Sequence, residues 1–174
     1  TLIDRVNLEP ESTDLTIAEA RQADENTRVT IEGTVSRAFG GYVRIQDNSG
    51  ADGTSGIVLR QVDGGNSVAF QEDIEDGTIQ PGTVIRATGF VSAFNGLVQI
   101  NGGDLGSYEI VEQGAAPTPQ SVTVTEIVEN GSSYESELIA VSNPLTITDA
   151  ESDTFANGTS YTAENSSGDA VTFR

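Results

Sequence analysis

Cysteine, histidine, methionine, tryptophan and lysine are all absent from this chain of 174 residues, and each absence closes a line of chemistry. Without cysteine there is no disulfide and no thiolate. Without histidine or cysteine there is no imidazole or soft metal ligand; carboxylates alone could still hold Mg²⁺, but no metal and no cofactor are expected. General acid–base and nucleophilic catalysis usually draw on His, Cys or Lys, or on a serine activated by one of them. No catalytic residue is therefore expected, and the chain reads as a non-enzyme. No apolar run approaches the roughly 18 residues of a membrane span, and no basic segment followed by an apolar one marks a signal peptide. A start at Thr1 reads as a piece cut from a longer precursor.

Positive charge is scarce. Against 27 acidic residues stand 8 basic ones, all arginine (Arg5, Arg21, Arg28, Arg37, Arg44, Arg60, Arg86 and Arg174), for a net charge of -19. Such a chain repels itself in dilute buffer, but at about 1 M salt the Debye length is only about 3 Å and most of that cost disappears. The joint lack of lysine and excess of Asp and Glu points to a salt-adapted, halophilic source. Aromatics are few, at 6%. The Val, Ile and Leu nevertheless cluster in short alternating runs, which predicts folded β-structure rather than disorder.

Residues 1–13 are polar and read as an N-terminal extension. Ile17, Ala20 and Arg21 then recur at helical spacing behind a possible Thr16 cap, predicting a short helix. From Arg28 the period changes to two: Val29, Ile31, Gly33 and Val35 share one face and Thr30, Glu32, Thr34 and Ser36 the other. Gly40-Gly41 predicts a hairpin into Val43 and Ile45, and Asn95-Gly96 predicts a second one between the Ile85 to Val91 face and Leu97 to Ile100. Gly33 and Gly89 suit strands that bend at a barrel corner. Residues 61–82 read as one long connection between a third and a fourth strand, ending in the Pro81-Gly82 turn. Residues 14–113 thus predict a five-stranded Greek-key barrel in an all-β chain.

Residues 114–120, with two prolines, read as a linker, and 121–174 as a partial second domain. Leu15 to Ala20 matches Val122 to Ile127, Asn48 to Gly50 matches Ser166 to Gly168, and Leu59-Arg60 corresponds to Phe173-Arg174. On this reading the second copy reaches only its third strand.

In order and spacing, Thr16 to Ala20, Val29 to Val35, Val43 to Asp47 before a Ser-Gly turn, Gly82 to Gly89, Phe94 to Gly96 and Gln99-Ile100 resemble a known family. It is that of the OB-fold modules of secreted bacterial nucleases and related multidomain surface proteins. The resemblance covers about residues 14–113 well and 121–174 in part. It implies an OB-fold barrel followed by a partial OB-like domain, in an extracellular or cell-surface protein, as a nucleic-acid-binding or accessory module beside other domains of the same precursor. The family's catalytic domain finds no match in these residues.

If Val43 and Ile45 face the core, Tyr42, Arg44 and Gln46 face outward, with Arg60 near the end of the third strand, Arg37 and Phe39 at the first hairpin and Phe94 at the last. Arg37, Phe39, Tyr42, Arg44, Arg60 and Phe94 are therefore the candidate ligand-binding residues. Aromatics beside arginine suit single-stranded nucleic acid, where bases stack and arginine meets phosphate; the same set suits an oligosaccharide. The alternative is a structural or protein-interaction spacer that binds no small ligand. Two acidic loops, Asp47 to Gly53 and Asp149 to Asp153, invite a calcium reading, but with Asp47 first, Ala51 falls at the fifth position and Asp52 where glycine is needed. Both read as solvated acidic loops. The second copy has Ser160 and Thr162 where the first has Tyr42 and Arg44, so only the first could use that pair.

Overall fold

The computed structural model describes residues 11–50, 54–101, 107–150 and 154–173. They fall into two compact units. The first runs to Pro117 and includes Glu135–Glu137; the second comprises Thr118–Tyr134 and the chain from Leu138 onward.

The first unit contains, in chain order, β1 (Thr13–Asp14), α1 (Ile17–Ala20), β2 (Arg28–Phe39), β3 (Tyr42–Gln46), β4 (Gly56–Arg60), α2 (Ser67–Glu75), β5 (Thr83–Phe94), β6 (Leu97–Asn101) and β7 (Ser107–Gln113). The sheet order is β1-β2-β3-β4-β6-β5-β7, and β2 also pairs with β5. Counting the five central strands from one, their order is 1-2-3-5-4, with the fourth returning to the first and the one parallel central pair between β4 and β6. A helix between the third and fourth of these strands completes an OB-fold-like arrangement.

The sheet differs from the bare five-stranded barrel expected, since it has seven strands. β7 pairs with the Thr83–Thr88 half of β5, while β6 pairs with the Phe90–Phe94 half. In β7 only Tyr108 and Ile110 pack against the core, too few apolar residues for alternation to mark a strand. The 61–82 connection likewise holds a helix, because Phe70 and Ile74, four apart, turn one face of α2 to the core.

Both expected hairpins form. Asn95 and Gly96 take φ of 52° and 88°, the pair of left-handed residues a tight two-residue turn requires, and Gly40 takes 55°. Val29, Ile31, Val35, Val43, Ile45, Ile57, Leu59, Ile85 and Ile100 are all buried in one core. A side chain at Gly33 would meet Ile17 Cδ1 at 3.0 Å and Ile45 Cβ at 3.2 Å, so the glycine lets α1 seat against β2.

Helix α1 is short and held by its ends. Thr16 Oγ1 accepts from Glu19 N at 3.3 Å, and the Glu19 carboxylate accepts from Thr16 N at 2.9 Å, a reciprocal capping box. The bond from the Thr16 backbone, then that from its hydroxyl, lowers the Glu19 pKa. Beyond the box, Ile17 N donates to Asp47 Oδ2 at 2.8 Å and Ala18 N to Ser49 Oγ at 3.0 Å. Asp47 and Ser49 each satisfy one helix donor that would otherwise be orphaned, and Asp47 Oδ1 in turn holds Ser49. Asp52, Gly53, Glu151 and Asp153 lie outside the described residues.

Glu135–Glu137 is held to the first unit by its carboxylates. Arg21 Nη1 reaches Glu135 Oε1 at 3.0 Å and the Gly56 carbonyl at 2.7 Å, while Glu137 Oε1 accepts from Ser55 N at 2.7 Å. Sequence pattern gives no sign of this contact, which joins residues 114 apart.

Gly82 is the tightest turn position. It takes φ of 102°, and a Cβ there would overlap the Gly114 carbonyl oxygen, which is backbone and has no rotamer to yield. Gly82→Ala should destabilise the first unit by about 1–3 kcal/mol, read as a lower urea midpoint at unchanged slope. An unchanged midpoint would show that the Gly114 strand end shifts freely.

The second unit contains β8 (Gln120–Val122), α3 (Val124–Asn130), a 3₁₀ turn (Gly131–Tyr134), β9 (Ile139–Val141), β10 (Thr146–Ile147), β11 (Tyr161–Glu164) and β12 (Ala170–Phe173). β8 begins within the stretch read as linker. It lies parallel to β9, as β1 lies parallel to β2, and α3 carries the same capping box through Thr123 and Glu126. Asn165 Oδ1 accepts from Ser167 N at 2.8 Å as Asp47 Oδ1 accepts from Ser49 N at 2.9 Å. Its buried apolar set is small: Val122, Val124, Tyr161 and Ala163, with Phe155 and Phe173 ringed around Tyr161.

Candidate ligand-binding face

Strand register brings the six candidate residues onto one outer face of the first sheet. Directly opposed residues share a face, so two rows can be followed across the strands. One is Phe39, Tyr42, Arg60, Asn101 and Phe90; the other is Arg37, Arg44, Val58, Gln99 and Ser92. Phe94 pairs with Leu97 at the end of the β5–β6 hairpin. A bulge between Val35 and Arg37 lets β2 keep its apolar residues inward on one side and still present Arg37 and Phe39 outward beyond it.

Two adjoining grooves run along this face. One, about 370 Å³, is lined by Tyr42, Arg60, Phe94, Leu97, Gln99 and Asn101. The other, about 330 Å³, is lined by Arg37, Phe39, Tyr42, Arg44, Val58 and Leu97. Tyr42 and Leu97 belong to both, so the grooves are contiguous. All six predicted residues line one or the other.

Three aromatic rings stand open here: Phe39 is 72% exposed, Phe94 65% and Tyr42 41%. Single exposed rings are ordinary, but three gathered on adjoining grooves form a patch of the kind that marks a binding surface. Arg60 is placed by two contacts, a bond from Nη1 to Asn101 Oδ1 at 2.9 Å and a seat 5.9 Å from the Tyr42 ring centre.

The arginines are distributed unevenly. Arg21 pairs with Glu135, and Arg86 with Asp14 and with Glu32 at 3.9 Å. Arg37 and Arg44, directly opposed on β2 and β3, have no ion pair among the described residues, and neither row contains an acidic residue. Burial, and then the charge of Arg37, lower the pKa of Arg44. Two adjacent cations with no anion between them concentrate positive charge locally, and partial desolvation of one strengthens what an anion would gain there.

Val58, Leu97, Gln99 and Asn101 were missed by sequence reasoning. The signal for the β6 residues was present: with Ile100 inward, Leu97, Gln99 and Asn101 share the opposite parity from the core. Among the described residues no group of three or more carboxylates is placed to hold a metal ion.

No family model and no curated protein matches the chain. Among solved structures it is similar to the S. pombe Stn1–Ten1 complex, with 15% identity over 59% of this chain and 78% of the other at a TM-score of 0.40. It is also similar to the telomere capping protein Ten1 from Saccharomyces pombe, with 15% identity over 52% and 77% and a TM-score of 0.37. A third likeness is to the hypothetical protein ygiW from E. coli, with 18% identity over 53% and 84% and a TM-score of 0.34. Likenesses this remote do not say what this chain binds.

Proposed function

We propose that the first unit is a non-catalytic OB-fold-like module that binds single-stranded nucleic acid on the face built by β2, β3, β4 and β6. The observation that carries this reading is the gathering of Arg37, Arg44 and Arg60 with Phe39, Tyr42 and Phe94 along two adjoining grooves whose lining has no acidic residue, in a chain whose net charge is -19. Bases stacked on exposed rings contribute about 1–3 kcal/mol each, and the arginines meet phosphate. High salt screens the repulsion from acidic residues elsewhere and also removes the gain from counterion release, so at high salt binding rests on the rings. The module belongs, on this reading, to a tandem arrangement in which 121–174 is a related second copy, accessory to an exported protein of a salt-adapted organism. Its likeness in sequence pattern to modules of secreted nucleases supports that context.

The test is a titration of fluorescent single-stranded DNA with the whole chain in about 0.1 M and about 2 M KCl. Saturable binding is expected, and Tyr42→Ala should weaken it about 5- to 100-fold, the loss expected from one stacked base. No saturable binding at either salt would overturn the reading. A protein-interaction spacer is the second reading, favoured by the second unit, where β12 pairs only with β11 among the described residues and Phe155 is 63% exposed. That reading gains if DNA fails to bind.

A further inference from the structure

We infer that the groove between Tyr42 and Phe94 reads the hydrogen-bonding edge of one nucleobase, with Gln99 as the specificity-determining residue. This rests on the nucleic-acid reading of the same face. Gln99 lines the groove and is only 4% exposed, and its side-chain amide, which bonds to no described residue, is not sealed off but keeps contact with the open groove. An amide carries two donors and an acceptor with two lone pairs, so one that faces the groove without a protein partner has its bonding capacity free for a ligand. Its cross-strand neighbour on β5 adds to the case. Ser92 Oγ is buried with no partner, and the two residues, though directly opposed, do not bond to each other. A side-chain amide open to the groove and a buried hydroxyl without a partner thus stand side by side on β6 and β5.

The other groove residues fit the same ligand. Tyr42 and Phe94 supply aromatic surface for a planar ring, and the Arg60 bond to Asn101 Oδ1 fixes that amide and the guanidinium together. The adjoining groove, sharing Tyr42 and Leu97, places Arg37 and Arg44 where a phosphate attached to the same ligand would lie. A neutral sugar would use the amide and the rings but leave both arginines without an anion. A nucleotide matches the ring, the edge and the phosphate at once. Gln99 offers a donor and an acceptor side by side, the pattern that base edges complement.

The experiment compares fluorescent homopolymers of dA, dC and dT and an abasic strand, each of roughly ten nucleotides, binding to the whole chain. The expected result is a preference of about 5-fold or more between the best and worst base, with the abasic strand weakest. Gln99→Leu should reduce that preference to below about 2-fold while binding remains sensitive to Arg37→Ala. Gln99→Glu, an acceptor only, should move the preference toward dC, whose exocyclic amine donates. Equal binding of all three homopolymers by the wild type would overturn base reading while leaving the face as a sequence-neutral binder. A Gln99→Leu protein that weakens all strands equally, with the ratios intact, would show a purely structural glutamine and also overturn it. Failure of every strand to bind folded wild type would overturn the reading of the face itself, and so would capture of a sulfated oligosaccharide alone.

Discussion

Reversing both charges in Arg37→Glu/Arg44→Glu should lower affinity for single-stranded DNA by more than about 100-fold in about 0.1 M KCl, measured by fluorescence anisotropy. A hydrogen bond to a charged partner contributes about 1.5–3 kcal/mol, so losing two removes about 3–6 kcal/mol before any repulsion is counted. The loss should be concentrated in these residues because they are the directly opposed arginines with no carboxylate of their own among the described residues. Arg86, half-buried and tied to Asp14 and Glu32, serves as the contrast, and Arg86→Glu should change affinity little. Salt dependence separates phosphate contact from general attraction. For single strands each phosphate contact contributes about 0.7 to the slope of log K against log salt, so the double variant should flatten that slope by about 1.4. An affinity within about 3-fold of wild type, with an unchanged slope, would remove phosphate from the account. Far-UV circular dichroism is the control for folding, since Arg37 lies on the exposed end of β2 and its replacement opens no cavity.

The candidate face was legible in the sequence because a strand states its own orientation. Once Val43 and Ile45 are inward, Tyr42 and Arg44 can only be outward, and the hairpin turns at Gly40-Gly41 and Asn95-Gly96 put Phe39 and Phe94 at the same sheet. The depth of the groove was not legible. Alternation places Gln99 outward with Arg44, but which outward residues are then covered depends on neighbours from other strands, and Gln99 is buried where Tyr42 is open. A residue that looks like a solvated surface amide is for that reason the least solvated polar group in the groove.

Helix α2 was missed for a related reason. Its N-terminal residue Asn66 makes no side-chain capping bond, and Glu72, Asp73, Glu75 and Asp76 crowd its sequence, so neither a cap nor a continuous apolar stripe announces it. Helix α1, shorter by half, was visible through Thr16 and Glu19, which form the reciprocal cap. Local chemistry is written in the chain at α1, whereas α2 exists because a groove elsewhere in the core accepts Phe70. The docked Glu135 is the same lesson at longer range: its carboxylate accepts from Arg21 and from Val98 N at 3.1 Å, a meeting that only the folded sheet arranges.

Phe70→Ala should accordingly destabilise the first unit by about 3–5 kcal/mol, the usual loss for a buried phenylalanine, measured by urea unfolding. Phe70 is fully buried and meets Tyr108 edge to face, ring centres 5.0 Å apart at 84°. Tyr108 in turn donates to Asp73 Oδ2 at 2.6 Å, so ring contact and hydrogen bond together tie α2 to β7. Burial, with that bond to Asp73, raises the Tyr108 pKa and keeps the hydroxyl protonated as a donor. Removing the ring therefore leaves a cavity and loosens the seat of Tyr108. The effect is large against a typical domain stability of about 5–15 kcal/mol. Helix α2 connects β4, which carries Arg60, to β5, which carries Phe94, so the same substitution should raise amide exchange at both flanks of the groove, while Tyr108→Phe, which keeps the ring and loses one hydrogen bond to a carboxylate, costs about 1.5–3 kcal/mol. A Phe70→Ala loss below about 1.5 kcal/mol would mean that the core closes over the vacancy and that α2 is held by something other than its one buried ring.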